Sequence, residues 1–136
     1  MKKVAICGCR RVSNRFFYYL RTCMNGERFY YNEFGAYLRG IFGFKVQKIT
    51  LDGGFTCPNR DGTVGRGGCT YCNNQSFNPA YCHKLLPVSG QMKEGIAFFA
   101  HKYPDMRYLA YFQAYTNTYD SLENLRRRYE EALAVE

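Results

Sequence analysis

Cys57, Cys69 and Cys72 share one glycine-rich stretch, CPNRDGTVGRGGCTYC, with the spacing Cys-x11-Cys-x2-Cys. Three thiolates from one loop can hold a metal centre, and three donors rather than four leave one metal position open for chemistry. The two residues between Cys69 and Cys72 let both sulfurs reach one centre, a clamp common to zinc and iron–sulfur sites. Thr63, Gly65, Gly67 and Gly68 suit a backbone that turns sharply and donates amides to sulfur, and Pro58 stiffens the exit from Cys57. Cys82, with His83 beside it, offers a further thiolate. Together Cys57, Cys69, Cys72 and Cys82 would close a tetrahedral zinc site. Spacing alone leaves zinc and iron–sulfur level.

The elements that must position this loop follow from the pattern around it. Asn32 is placed to cap a short helix with Phe34, Tyr37, Leu38 and Ile41 on one face, weakened and stopped by Gly40 and Gly43. Val46 to Leu51, rich in Val, Ile and Thr, predicts a strand. The cysteine loop then runs from Asp52 to about Pro79, with six glycines between Gly53 and Gly68. A loop of that length inside a compact domain is usually functional. Ser89 is placed to cap a helix carrying Met92, Ile96, Phe99, Ala100 and Tyr103 on one side, with Pro104 beyond its end. Tyr108 to Gln113 is a near-continuous apolar run, as expected of a parallel strand covered on both faces. Ser121 is placed to cap a last helix with Leu122, Leu125, Tyr129, Ala132 and Leu133 inward, and Arg126, Arg127 and Arg128 mainly on a solvated face.

Strands alternating with helices predict βαβ units and a parallel sheet. The fold class is therefore α/β, and two strand–helix units read as the opening of a parallel β/α barrel cut after the second unit. The loop after the first strand then lies at the carboxyl edge of the sheet, where active sites of such folds gather.

Of 136 residues, 46% are hydrophobic and 18% aromatic, a globular composition rather than a disordered one. No apolar run approaches the roughly 20 residues of a membrane span. The opening MKKVAICGCRRVS has an apolar stretch only from Val4 to Cys7, too short for a secretory leader. Seven cysteines without such a leader point to a reducing, cytoplasmic setting and to metal or catalysis rather than disulfides. The net charge of +8 is concentrated in residues 1–28, which hold Lys2, Lys3, Arg10, Arg11, Arg15, Arg21 and Arg28 against one acid, Glu27. Residues 1–28 thus read as a basic extension outside a domain of residues 29–136, and the near-balanced body argues against a nucleic-acid module.

From about Tyr30 to Glu136 the chain resembles the first part of a radical S-adenosylmethionine enzyme domain. The carrying phrases are KVQKITLDGGFTCPNRDGTVGRGGCTYCNNQSF and YLAYFQAYTNTY. The resemblance is to a bacterial branch with a widened first cysteine gap, related to the elongator-type and methylthiotransferase-type enzymes. It implies that Cys57, Cys69 and Cys72 ligate three irons of a 4Fe–4S cluster, leaving the fourth iron for the amino and carboxylate groups of S-adenosylmethionine. It further implies a partial TIM-like barrel and a low-potential electron donor of flavodoxin or ferredoxin type. Reductive cleavage of the cofactor would give a 5′-deoxyadenosyl radical that takes a hydrogen atom from a substrate. Tyr71 stands where such enzymes carry an aromatic near the adenine; the alternative is a loop aromatic tucked onto the core. Gln113 stands where the superfamily often has Gly-Gly-Glu. Its amide oxygen could accept from the methionine amino group, or the residue simply ends a strand. Related branches act on transfer RNA, but no residue pattern here reads RNA, and His83 and His101 are assigned no role. Against this reading stand a structural zinc or nucleic-acid module using Cys82 and the basic leader, and a fragment without activity of its own.

Overall fold

The computed structural model describes residues 5–6, 31–73, 76, 78–102 and 105–135. Strand β2 (Val46–Leu51) pairs in parallel with β3 (Arg107–Phe112), with Val46 opposite Arg107 and Leu51 opposite Phe112. β1 (Ala5–Ile6) pairs in parallel with the other edge of β3, giving the order β1-β3-β2. The described sheet therefore has three strands where the apolar runs predict two. Its third member comes from the leader assigned to the outside of the domain, because a two-residue backbone ladder needs no apolar run to announce it. The rest of residues 1–28, with Cys7, Cys9 and Cys23, lies outside the described residues.

Helix α1 (Phe34–Phe42) starts one residue later than Asn32 predicts. Glu33 takes the N-cap place without a side-chain bond to the helix, and its carboxylate instead meets Arg39 at 3.5 Å. Gly43 stops the helix as expected, in the left-handed region at φ 66°, its N–H donating to the Arg39 carbonyl. Of the predicted apolar face only Leu38 is buried; Phe34 and Ile41 stay half-exposed.

Helix α3 (Val88–Ala100) begins at Pro87, not at Ser89. Ser89 sits inside the first turn, and both its N–H and its hydroxyl donate to Glu131 Oε1 on helix α4 (Leu122–Leu133), each at 2.8 Å. Ser121 does cap α4, accepting from the Asn124 N–H. Tyr103 and Pro104 lie outside the described residues. On α4, Leu125, Tyr129 and Ala132 pack inward, but Leu122 is 82% exposed and Leu133 about half. Arg128 departs from the solvated face: its guanidinium lies over the Phe55 ring at 4.6 Å and pairs with Asp120 at 2.6 Å.

Ile49, Leu51, Tyr108, Ala110 and Phe112 share one face of the sheet and form one core with Met92 of α3 and Ala132 of α4. Burial in β2 rises along the strand and is complete over Ile49, Thr50 and Leu51. The firmest packing therefore lies at the carboxyl edge, where the cysteine loop leaves. Helix α3 seats on β2 at Gly95, where an added Cβ would come within 2.5 Å of Ile49 Cγ2 and 3.0 Å of the Tyr81 ring. Among the described residues no helix is long and apolar enough to cross a membrane.

The same substitution should have opposite effects on two helices. Gly40→Ala in α1 meets nothing within 4 Å and should stabilise the chain by up to about 1 kcal/mol through helix propensity. Gly95→Ala gains the same propensity but overpacks the α3–β2 contact, for a net loss of about 1–2 kcal/mol. Urea denaturation of the two variants measures both; a stabilised Gly95→Ala would contradict the close seating of α3.

Candidate functional site

The cysteine loop leaves β2 at Asp52, and Gln91 of α3 fixes that point. The Gln91 side chain is fully buried. Its Oε1 accepts from the Asp52 N–H at 2.8 Å, and its Nε2 donates to the Asp52 carbonyl at 2.9 Å and the Leu86 carbonyl at 3.0 Å. A buried amide satisfied on both ends holds the loop's origin to α3 as firmly as a ladder bond would.

Beyond Asp52 the eleven residues between Cys57 and Cys69 fold back on themselves. Cys57, extended at φ −144°, precedes a single helical turn, α2 (Pro58–Asp61), and its carbonyl accepts from Arg60 and Asp61. The Pro58 carbonyl accepts from Val64 and Gly65, and the Asn59 carbonyl accepts from Gly68 at 3.0 Å. The residue before Cys69 is thus bonded to a residue two beyond Cys57, so the long insertion returns the second cysteine to the first. Gly68 makes this possible: its φ is +82°, and a Cβ there would come within 3.0 Å of the Arg60 side chain. The turn from Cys69 to Cys72 is closed by the Cys72 N–H donating to the Cys69 carbonyl at 3.0 Å.

Cys57, Cys69 and Cys72 are each partly buried and free of disulfides. One sulfur has a side-chain amide on it: Asn59 Nδ2 donates to Cys69 Sγ at 3.6 Å. Tyr71 is 86% exposed, so its ring is not tucked onto the core. Its pKa is held above the usual tyrosine value, by Cys69 first, then by desolvation, then by Cys72 and Cys57. Among the described residues no group of three His, Cys, Asp or Glu side chains is arranged to hold a metal ion. The three thiols share one folded loop, closed between Asn59 and Gly68, and do not converge on one point. In donor type and partial burial they suit a soft thiolate-bound metal or cluster.

The loop is stapled to the segment after β3. Thr116 N–H donates to the Thr56 carbonyl at 3.2 Å, the Arg60 guanidinium lies over the Tyr115 ring at 5.0 Å, and Thr63 Oγ1 and the Tyr119 hydroxyl are 2.9 Å apart. Tyr115 sits at φ 58°, the one non-glycine residue of positive φ among those described. An aromatic side chain in that region is strained by about 1–3 kcal/mol, and such strain gathers at functional sites. Gln113 ends the β3 ladder, its N–H donating to the Leu51 carbonyl at 3.2 Å. A cleft of about 530 Å³ opens between these segments, lined in part by Asp52, Asn78, His83, Lys84 and Tyr115. Neither Tyr71 nor Gln113 lines it.

Cys82 is only 3% exposed and belongs to the hydrophobic core. Burial first, and then the charge of Asp52, push its thiol up to about 11. Cys82 therefore reads as a packing residue rather than a ready thiolate, while His83 beside it is exposed. Sequence reasoning missed Asn59, Gln91 and Tyr115. Only Asn59 had a sequence cue, a short amide side chain two residues from a cysteine.

Comparison with known proteins extends well past the cysteine loop. Protein YhcC of Escherichia coli (strain K12) is 46% identical over 104 residues, which cover 76% of this chain and 32% of that protein. Protein YtqA of Bacillus subtilis (strain 168) is 42% identical over 106 residues, 78% of this chain and 33% of its own length. Protein MJ0486 of Methanocaldococcus jannaschii is 27% identical over 110 residues, 79% of this chain and 33% of its own. The chain thus spans about a third of the length of the curated relatives it matches. No family model matches it, and no solved structure does.

The thiols should separate by reactivity. At neutral pH, iodoacetamide should label Cys57, Cys69 and Cys72 in the native chain, with Cys82 protected until the chain unfolds; peptide mass spectrometry reads each site. Because the folded Cys82 thiol is raised to about 11 from an ordinary value of 9.0, its contribution to stability is complete below the unfolded value. It is lost as pH rises from there through about 11. Cys82→Ala should flatten that alkaline loss, and labelling of native Cys82 as fast as Cys69 would overturn its placement in the core.

Proposed function

We propose that this chain is the amino-terminal part of a radical S-adenosylmethionine enzyme, built on the opening β/α units of a parallel barrel. One observation carries the reading: the Asn59–Gly68 bond folds the eleven-residue insertion shut and returns Cys57 to the Cys69–Cys72 pair at the carboxyl edge of a parallel sheet. In this reading Cys57, Cys69 and Cys72 would hold three irons of a 4Fe–4S cluster, and three protein thiolates would leave one corner for the cofactor. The bound cluster would supply a low-potential electron, received from a flavodoxin or ferredoxin type of donor, for reductive cleavage of S-adenosylmethionine.

The chain's own residues bind and orient. Gln91 holds the root of the loop against α3. Arg60 and Thr63 clip its far side to Tyr115 and Tyr119. The exposed Tyr71 ring would pack on an adenine, and the amide of Gln113, which follows β3, would accept from an amino group. The cleft beside the loop offers Asp52, Asn78, His83 and Lys84 as polar contacts over an aromatic wall.

Anaerobic reconstitution with iron and sulfide tests this. The expected product is brown, gives a low-temperature paramagnetic signal on reduction, and changes that signal when S-adenosylmethionine is added. Cys57→Ala, Cys69→Ala and Cys72→Ala should each abolish the colour, and Cys82→Ala should keep it. A colourless chain with one zinc, lost equally in Cys82→Ala and Cys69→Ala, would replace this reading with a four-cysteine structural site.

A further inference from the structure

Asn59 is bound twice to the segment that delivers the second cysteine. Its carbonyl accepts from the Gly68 N–H at 3.0 Å, and its Nδ2 donates to Cys69 Sγ at 3.6 Å. The residue is braced for this: it follows Pro58 in the single turn of α2, which starts at Cys57, and it is partly buried. Tyr71, which also acts on Cys69, projects into solvent, whereas Asn59 is held within the folded loop.

We propose that Asn59 is a positioning and charge-tuning residue for Cys69: its side-chain N–H fixes the direction of the sulfur and withdraws charge from it. This rests on the reading that Cys69 ligates an iron–sulfur cluster. A hydrogen bond to a ligating sulfur stabilises the state with more negative charge, so it raises the reduction potential of the centre that the sulfur holds.

Two measurements on this chain test the proposal. In the metal-free, ¹⁵N-labelled chain, Cys69→Ser should shift the Asn59 side-chain amide resonances, and Cys72→Ser should leave them in place. After reconstitution, the midpoint potential should fall in the order native, Asn59→Leu, Asn59→Asp. Leu removes the donor at similar volume, and Asp adds a negative charge beside the sulfur. Asn59→Gln, which keeps the amide, should recover part of the difference, and Tyr71→Phe should move the potential less than Asn59→Leu. A purely structural Asn59 would lower cluster content and leave the potential unchanged, which overturns the proposal. If no cluster assembles in the native chain, the cluster reading fails and the tuning role with it, whereas unmoved Asn59 resonances in Cys69→Ser refute the hydrogen bond itself.

Discussion

The side-chain amide of Gln91 grips both backbone groups of Asp52 at the point where an ordered strand becomes a glycine-rich loop. Everything downstream hangs from that join. Parallel sheets send their loops off one edge, and a loop without ladder bonds would otherwise start from a fraying strand end. Gln91 can do this because α3 is pressed onto β2, and α3 can approach so closely because Gly95 carries no side chain where Ile49 passes. The site's precision thus begins in a helix that contributes no side chain to the thiols.

A second set of contacts works from the other side. The segment after β3 touches the cysteine loop through a backbone bond, a cation over a ring and a hydroxyl pair. That segment is itself pinned to α4, where the Tyr129 hydroxyl donates to the Asn117 carbonyl and Arg128 reaches back across Phe55 to Asp120. The loop is therefore suspended between two strand ends, each braced by its own helix. The strain at Tyr115 is carried at the meeting point of the two supports.

Much of this was legible from residue patterns, and the failures have physical reasons. β2 could be read from β-branched residues, and the cysteine trio from its spacing. The arginine triplet was misjudged at Arg128 because a guanidinium can lie flat on an aromatic and still meet a carboxylate. Leu122 and Leu133 obey helical periodicity yet lie at the two ends of α4, where no described element covers them. Ser89 carries a capping side chain, but a carboxylate from another helix claimed it. Cys82 could be offered as a fourth ligand for the alternative zinc site because sequence distance does not reveal that Tyr81 and Cys82 turn into the core. At Ser89, Cys82 and Arg128 over Phe55 a contact remote along the chain decided the outcome, and local pattern carries no trace of such contacts.

The bond between Asn59 and Gly68 has a consequence for how such chains are recognised. It acts as the neck of a purse: the stretch from Arg60 to Gly67 hangs outside it, and the cost of lengthening such a pendant grows only slowly with the number of residues. Arg60 and Thr63 tie the pendant to Tyr115 and Tyr119, so only its tip hangs clear. A residue added at that tip would be taken up outside the neck at little entropic cost. The interval between the first two cysteines is therefore a poor measure of the span from Cys57 to Cys69, because the neck and not the count sets the return of the chain.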